Sequence, residues 1–333
     1  MKKIELPNGR LIGPGEPVFI TAEIGINHNG SLDTAITLIK EAAKAGVDAV
    51  KFQNYDVFDF LSKEDITDDN IFVQCQLNEA GIRGLAEVAE DYNVLFYSTP
   101  TSGWSLSLLY DIGVPLIKVG SDFAEKSFIE LMAPTGTPII ISIGGLEIEE
   151  IWPLLLATSH VPTGLLYCVS EYPTSPQLLN LRKIPAMEKM FGVPVGFSDH
   201  SLGYHTAIAA VALGACMIEK HFTLDHGLDG PDHKFSATPV EMAELVKGVR
   251  EVEASLGSSD ARLNKAELEA RNNFTRSCVA NGSAAKGEVI TREMVSFVRP
   301  GTGIPPDSVG FLEGRFLNRN MKVGEQILAC DVD

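Results

Sequence analysis

The sequence predicts an α/β protein, a (β/α)8 TIM barrel followed by a small, mostly β domain. Eight apolar strands rich in β-branched residues alternate with helical patterns over about 240 residues, the usual extent of such a barrel. An open doubly wound sheet is the structural alternative. It lacks support because no G-x-G-x-x-G follows the first strand and the sequence contains no P-loop.

The first half of the chain alternates strand and helix patterns with clear boundaries. Ser31 is a good N-cap for the first helix, which Gly46 ends, and Pro100 stops the third strand. The segment 54–77 has no clear periodicity, and a connection of this length is usually functional or mobile. Predicted strands cover residues 18–25, 49–53, 94–99 and 115–121, and predicted helices cover residues 32–45, 78–92, 103–112 and 126–133.

The second half of the barrel repeats the pattern four more times. Pro153 interrupts one helix, in a first turn where proline is tolerated, and Pro185 breaks the next. Residues 11–16, ahead of the first barrel strand, form a turn region with Gly and Pro. Predicted strands cover residues 138–143, 164–169, 193–197 and 215–219, and predicted helices cover residues 147–158, 178–191, 203–214 and 239–256.

The chain divides into a barrel domain at residues 1–256, a linker at 257–273 and a second domain at 274–333. Residues 261–271 read as a charged helix or linker. The second domain has short strand-like pieces at 277–280, 295–298 and 326–329 between Gly turns. A module of about 60 residues is marginally stable alone, so we expect it to pack on something.

Composition limits the class of partner. The net charge of −17 argues against nucleic acid, although local lysines can still attract a small anion inside a pocket. No apolar run approaches the ~20 residues of a membrane span, and the N-terminus lacks the apolar core of a signal peptide. The five cysteines are odd in number and form no C-x-x-C pair, which is typical of buried thiols in a reducing cytosol.

Two histidines end neighbouring parallel strands, His200 after the seventh and His221 after the eighth. Period-2 alternation places Ser198 with His200 on one face and Glu219 with His221 on one face, and it turns Asp199 and Lys220 away from the histidines. Two imidazoles can then converge on one divalent metal ion. The alternative is two unrelated histidines, one capping a helix and one packed in the core.

Polar side chains collect where the strands end, the face at which barrel enzymes carry their chemistry. Lys51 and Lys118 come from two strands, and a buried charge must be paired or functional. With nearby serine hydroxyls they could bind phosphate and carboxylate groups, or they could form structural ion pairs. A Schiff-base lysine is less favoured because this rim is polar.

Seven segments together resemble the sialic acid synthase family, the N-acetylneuraminate synthase-like enzymes that condense phosphoenolpyruvate with an N-acylated hexosamine to nine-carbon 2-keto acids. The resemblance spans nearly the whole chain, and the C-terminal part, including Val298–Gly303, is similar to the family's antifreeze-like (SAF) domain. The segments are residues 22–30, 50–53, 96–100, 117–121, 196–200, 219–223 and 230–234.

The resemblance implies a role for each matched residue. His200 and His221 would bind the metal, Mn²⁺ or Mg²⁺. Arg299 would reach across a domain-swapped homodimer to the partner's sugar site; otherwise it would be an ordinary exposed turn residue. The residues implied for phosphoenolpyruvate are Lys51, Lys118, Ser121, Ser142 and Ser198, and those implied around the sugar are Glu23, Gln53, Thr99, Tyr172 and Asp232.

The implied chemistry is aldol-type carbon–carbon bond formation. The metal would polarise the oxygen of the open-chain aldehyde as a Lewis acid. C3 of phosphoenolpyruvate would attack the aldehyde, water would add at C2, and phosphate would leave with C–O cleavage. Either Glu23 or Asp232 would move a proton or stabilise the developing cation, and the sequence does not choose between them.

Three departures from the family pattern fall where the sugar should lie: Asp122-Phe123, Ile143-Gly144-Gly145 and Ser170. The sugar could therefore be N-acetylmannosamine-like. It could also be a 2,4-diacetamido-trideoxyhexose, the precursor type of legionaminate, pseudaminate or a spore-coat or other surface polysaccharide sugar. We also expect the segment 54–77 to contact it.

Three rival functions remain open. A metal-dependent hydrolase or lyase on the same barrel would need a fuller ligand set. A synthase extending a pentose or tetrose phosphate would need a second basic cluster, which the sequence does not show. The third rival is a protein without enzymatic activity, in which the second domain binds ice or a partner and the barrel is inert. Such a barrel would not need polar side chains at the ends of its strands.

Overall fold

The first unit of the protein is a parallel eight-stranded barrel. A computed structural model describes residues 3–333 and divides them into two compact units, one ending at Gly257 and the other covering Ser258–Asp333. The strands of the first unit are β1 (Ile4–Glu5), β2 (Leu11–Ile12), β3 (Phe19–Gly25), β4 (Ala49–Asn54), β5 (Leu95–Pro100), β6 (Ile117–Val119), β7 (Ile139–Ser142), β8 (Thr163–Tyr167), β9 (Val195–Asp199) and β10 (Met217–His221).

The strand order confirms the predicted (β/α)8 barrel. Hydrogen-bonded ladders run in the order β5-β4-β3-β10-β9-β8-β7-β6, all parallel, so the first barrel strand pairs with the last. β5 and β6 lie side by side and nearly close the ring. In a doubly wound sheet the first strand would be central and the order would reverse there, which is not the case.

Ten helices accompany these strands, and most lie on the outside of the barrel. They are α1 (Leu32–Ala45), α2 (Val57–Phe60), α3 (Ile71–Cys75), α4 (Glu79–Asp91), α5 (Gly103–Ile112), α6 (Lys126–Met132), α7 (Ile148–Ala157), α8 (Lys183–Phe191), α9 (His205–Ala212) and α10 (Pro239–Leu256). α1 shows why local signals predicted such elements. Ser31 accepts a hydrogen bond from the Thr34 amide, and Gly46 ends the helix with a left-handed φ of 88°.

Three local expectations were wrong at least in part. Residues 11–16 were expected to be a turn region; residues 13–16 are turn and bend, but Leu11–Ile12 pairs with Ile4–Glu5 in an antiparallel ladder. Ile4, Leu6 and Ile12 are buried with the residues that fill the barrel interior, so this hairpin closes one end of the barrel. Pro153 lies in the second turn of α7 and does not interrupt the helix. Pro185 lies in the first turn of α8 and does not break it, because this helix begins at Lys183 rather than at residue 178.

The second unit contains α11 (Lys265–Phe274), which lies mostly within the segment expected to be a linker, and an antiparallel pair, β11 (Ser277–Ala280) and β12 (Val295–Val298). Its own small core includes Cys278, Ile290 and Leu317. The predicted strand at 326–329 is reduced to a single bridge between Val279 and Gln326.

The remaining composition-based expectations concern thiols and membranes. All five cysteines are free; four are buried as expected, but Cys330 is exposed. Within residues 3–333, none of the helices has the length and apolar character needed to cross a membrane.

Candidate active site

A cavity of about 500 Å³ lies over the C-terminal ends of the barrel strands. It contains every site residue predicted from the barrel sequence. Period-2 alternation turns the strand residues inward, and the connections after the strands supply Ser121, Tyr172 and Asp232. The predicted residues that line it are Glu23, Lys51, Gln53, Thr99, Lys118, Ser121, Ser142, Tyr172, Ser198, His200, His221 and Asp232. A larger cavity of about 860 Å³, at the N-terminal ends of the strands, contains none of them.

Arg299 belongs to the second unit, where it is exposed. Its predicted contact with the partner's sugar site stays a prediction.

The floor of the cavity is a buried charge cluster. The Nζ atom of Lys51 lies 2.9 Å from Glu23 Oε1 and 3.6 Å from Glu219 Oε2. The Nζ atom of Lys118 lies 3.8 Å from Glu219 Oε1 and donates a hydrogen bond to Ser142 Oγ at 2.8 Å. Ser198 Oγ donates to Glu219 Oε1 at 3.0 Å. Glu219 therefore connects two lysines and a serine from three other strands.

Burial and charge set the protonation of these groups. Burial opposes ionisation of Glu219, but Lys118 and Lys51 outweigh it and hold the pKa of that carboxyl below its usual value. Burial raises the pKa of Glu23 to about 7, although Lys51 offsets part of the effect. When Glu23 is protonated, the cluster holds two cations and one carboxylate, so the floor attracts a small anion.

Glu219 is the functional residue that sequence reasoning missed. Alternation placed it on the face of His221, but it was given no role. Its contacts depend on the closed barrel, because its lysine partners lie on β4 and β6, neither of which pairs with β10.

The two histidines lie beside each other at the cavity wall, with ring centroids 5.6 Å apart. The Nδ1 atom of His200 is 2.9 Å from the Val169 carbonyl oxygen, which can only accept, so Nδ1 carries the proton and Nε2 carries the lone pair, with Ser198 Oγ 3.3 Å away. The Nδ1 atom of His221 is buried without a hydrogen-bond partner, 3.6 Å from Asp232 Oδ2. Burial lowers the pKa of both rings, so both are neutral at neutral pH.

Neutral imidazoles with fixed rings are what a metal ion requires of histidine ligands. Among residues 3–333, no group of three or more His, Cys, Asp or Glu side chains is arranged to hold a metal. An ion at this wall would therefore depend on two imidazoles and on ligands from substrate or solvent. Tyr172 covers His200 at a ring distance of 4.2 Å, and Phe235 packs on His221 at 5.0 Å.

The residues that alternate with this wall point outward, as expected. Lys220 and Asp199 are completely buried and form an ion pair with an Nζ to Oδ2 distance of 3.4 Å. The Asp199 carboxylate also accepts hydrogen bonds from Ser201 and Thr206, so this pair ties the end of β9 to β10 and to the start of α9. It is structural support for the two histidines.

The segment between β4 and α4 supplies a second kind of wall. Tyr55, Phe60 and Phe72 line the cavity together with Phe123, which follows β6. The segment had no periodicity because it holds two short helices and packs on its own small apolar cluster.

Comparison with known proteins identifies the family of this chain. The chain matches the NeuB family over residues 38–261 and the SAF domain over residues 275–333. An uncharacterised protein of Methanocaldococcus jannaschii is 40% identical, with 97% of this chain and 95% of that protein covered. The N,N'-diacetyllegionaminic acid synthase of Legionella pneumophila is 34% identical, with 95% of each chain covered.

The solved structure of an N-acetylneuraminic acid synthetase from Leptospira borgpetersenii superimposes with a TM-score of 0.75 and 34% identity, covering 82% of this chain and 97% of that one. The characterised relatives are synthases, so the chain is an enzyme of the transferase type. The chain belongs to the NeuB family of sialic acid-type synthases and carries a SAF domain at its C-terminal end.

Proposed function

We propose that the enzyme condenses phosphoenolpyruvate with an open-chain N-acylated amino sugar. Phosphoenolpyruvate, the sugar and one water give a nine-carbon 2-keto acid and inorganic phosphate. The observation that carries this proposal is that two buried lysines and two neutral histidines share one cavity. Such a cavity can hold an anionic three-carbon donor beside a carbonyl acceptor.

Lys51 and Lys118 are proposed to bind the phosphate and carboxylate groups of phosphoenolpyruvate. Lys118 is already held by Ser142, so it loses little freedom when it binds an anion. The hydroxyl groups of Ser121, Ser142 and Ser198 line the same cavity. Ser121 and Ser142 can donate to anionic oxygens, and Ser198 can do so by exchanging its hydrogen bond to Glu219. Glu219 favours the protonated form of both lysines.

His200 and His221 are proposed to hold Mn²⁺ or Mg²⁺. The unprotonated Nε2 of His200 and the unpartnered Nδ1 of His221 fit this role, because the Ser198 hydroxyl beside Nε2 donates to Glu219. Asp232 is close enough to stabilise a cation. When bound, the ion would supply Lewis-acid polarisation of the aldehyde oxygen.

The protein's own groups orient the reaction and move its protons. Lys51 and Lys118 would hold phosphoenolpyruvate with C3 towards the aldehyde carbon, and Gln53, Thr99 and Tyr172 would bind the sugar. C3 attacks the aldehyde, water adds at C2, and the C2–O bond to phosphate breaks. Two acids could donate to the aldehyde oxygen or accept a proton from the water: Glu23, with a pKa of about 7, and Asp232, with a pKa raised by burial to about 6.

We further propose that the enzyme acts as a domain-swapped homodimer in which Arg299 completes the sugar site of a second copy. The second domain, of about 60 residues, is only marginally stable alone. Arg299 is exposed, and its guanidinium can donate two hydrogen bonds to a carbonyl-bearing ligand. Mixed Arg299→Ala and His221→Ala subunits would recover activity through hybrid sites. Mixed subunits as inactive as the parents would contradict this arrangement.

The decisive assay measures phosphate release from phosphoenolpyruvate with a panel of N-acylated hexosamines. Mass spectrometry then identifies the product. Acceptor-dependent release with a nine-carbon keto acid is expected. Two acceptor types are candidates: N-acetylmannosamine, and the 2,4-diacetamido-trideoxyhexose used for legionaminate or pseudaminate. The 34%-identical Legionella synthase supports the second type.

A further inference from the structure

Asp232 lies in the long connection between β10 and α10, and its carboxylate is not held by other side chains. Within residues 3–333 that carboxylate forms no hydrogen bond, and its Oδ2 atom lies 3.6 Å from His221 Nδ1. The connection covers residues 222–238, a length at which a loop is usually functional and needs contacts of its own to be ordered. The place of the carboxylate in the cavity therefore depends on what fixes the backbone of Asp232.

Asn27 and Ser236 hold that backbone through a chain of hydrogen bonds. The Asn27 side-chain nitrogen donates to the Phe222 carbonyl and to Ser236 Oγ, each at 2.9 Å. Ser236 Oγ donates to the Asp232 carbonyl at 2.6 Å, and the Ser236 amide donates to the same oxygen at 3.2 Å. Both carbonyls can only accept, so the direction of each bond is determined. Asn27 and Ser236 are 1% and 2% exposed, so water does not compete for these bonds.

Asn29 and His233 make a second connection to the same loop. Asn29 Nδ2 donates to the Asp229 carbonyl at 2.8 Å, which leaves Asn29 Oδ1 to accept from His233 Nε2 at 3.3 Å. Gly230 packs on that ring: at its φ of 150°, an added Cβ atom would lie 2.7 Å from His233 Cδ2. The loop is therefore fixed on both sides of Asp232. We call these four side chains the loop clamp: Asn27, Asn29, His233 and Ser236.

We propose that the loop clamp positions Asp232 for proton transfer to the aldehyde oxygen or from the attacking water. The inference rests on the proposed condensation, in which Asp232 is one of two candidate acids. Glu23, the other acid, is held directly by Lys51 at 2.9 Å. Asp232 has no such partner, so its two oxygens stay free for substrate and its orientation comes from the backbone. A displacement of about 1 Å at a reacting group can lower a rate about 100-fold.

The test is a double-mutant cycle on kcat with Ser236→Ala, Asp232→Asn and the two combined. Ser236→Ala should lower kcat about 10- to 100-fold and leave the KM for phosphoenolpyruvate unchanged, because the lysines of the floor are untouched. In the Asp232→Asn background the same change should cause no further loss, since the group that Ser236 positions is already removed.

Asn29→Gly provides a second, milder variant for the same cycle. Asn29 is exposed and has a φ of 49°, which glycine adopts without strain, so the fold is retained while both side-chain bonds are lost. It should lower kcat less than Ser236→Ala does, and its effect should also vanish in the Asp232→Asn background. If Ser236→Ala does not fold, the cycle with Asn29→Gly decides.

Thr163→Val is the matched control, because it removes a buried hydroxyl that donates to the Val161 carbonyl at 3.1 Å, at the N-terminal end of β8. It should lower the Tm without changing kcat. Wild-type kcat in a folded clamp variant, losses that multiply with that of Asp232→Asn, or wild-type kcat in Asp232→Asn would each overturn the inference and leave the condensation standing. Absence of phosphate release by the wild type with every acceptor would overturn both.

Discussion

Lys118 and Glu219 face each other across the floor of the cavity, with Lys118 Nζ 3.8 Å from Glu219 Oε1. The distance is longer than a direct hydrogen bond, and the lysine donates instead to Ser142. Burial lowers the pKa of Lys118, and Glu219 opposes that effect. Glu219 thus favours the cationic form of the lysine. Its donations to Ser142 and to the Val119 carbonyl leave part of its hydrogen-bonding capacity for an anion.

Replacing Lys118 by methionine should raise the KM for phosphoenolpyruvate about 10- to 100-fold, because hydrogen bonds to charged groups contribute about 1.5–3 kcal/mol. The KM for the sugar should change little. Steady-state kinetics with each substrate varied in turn checks this. Lys126→Met, at an exposed position on α6, is the control. A variant with an unchanged KM for phosphoenolpyruvate would show that Lys118 is only a structural ion-pair partner.

Glu219→Gln should destabilise the enzyme by about 3–5 kcal/mol, because two buried ammonium groups lose their shared carboxylate. Phosphoenolpyruvate should then raise the Tm more in the variant than in the wild type, since its anionic groups replace the lost charge. Differential scanning calorimetry measures both effects. Glu130→Gln removes only an exposed pair with Lys126 and should change little. An unchanged Tm in Glu219→Gln would contradict the charge-cluster account.

Removal of divalent metal should abolish turnover, and Mn²⁺ or Mg²⁺ should restore it. His200→Ala and His221→Ala should be inactive at any metal concentration while keeping the wild-type circular dichroism spectrum. Mn²⁺ binding followed by electron paramagnetic resonance should be weakened in both variants, but not in His160→Ala, whose side chain is exposed. Near-normal activity in metal-stripped buffer would refute the metal role.

His28 should make the barrel less stable in acid. Burial lowers the pKa of His28 to about 4, and its Nδ1 accepts a hydrogen bond from the Gly30 amide. Its folded-state pKa lies below the unfolded value of about 6.5, so unfolding takes up a proton. This contribution is fully present above pH 6.5, and about 3 kcal/mol of it is lost as the pH falls to 4.

Urea unfolding of wild type and His28→Asn at pH 7 and pH 4 isolates the contribution of His28 to the free energy of unfolding. Asparagine can still accept the Gly30 hydrogen bond but does not titrate, so the variant should lose less stability on acidification. The His160→Asn control should behave like the wild type. If the free energy of unfolding depended on pH identically in wild type and His28→Asn, His28 would make no such contribution.

Much of the barrel could be predicted because its signals are local. Ser31 and Gly46 mark the ends of α1, and the apolar runs of β7 and β9 need no knowledge of the rest of the chain. The N-terminal hairpin could not be predicted, because Ile4–Glu5 and Leu11–Ile12 are too short to show alternation and are held by the barrel interior.

Part of the candidate site could be predicted from the period-2 alternation of side chains and from the residues at the C-terminal ends of the strands. That logic placed His200 and His221 on one wall and turned Asp199 and Lys220 away from it. The link from Glu219 to Lys51 and Lys118 depends on strand neighbours across the ring, which only the fold supplies. The aromatic contacts of Phe60 with Phe123 likewise join segments about sixty residues apart.

The most direct test uses phosphoenolpyruvate labelled with ¹⁸O in the oxygen that bridges C2 and phosphorus. With an accepted amino sugar, the account predicts that mass spectrometry finds the label in the released phosphate and a nine-carbon 2-keto acid in equal amount, because the C2–O bond breaks. Unlabelled phosphate accompanied by pyruvate, or no acceptor-dependent release, would contradict the assignment of this cavity to phosphoenolpyruvate condensation.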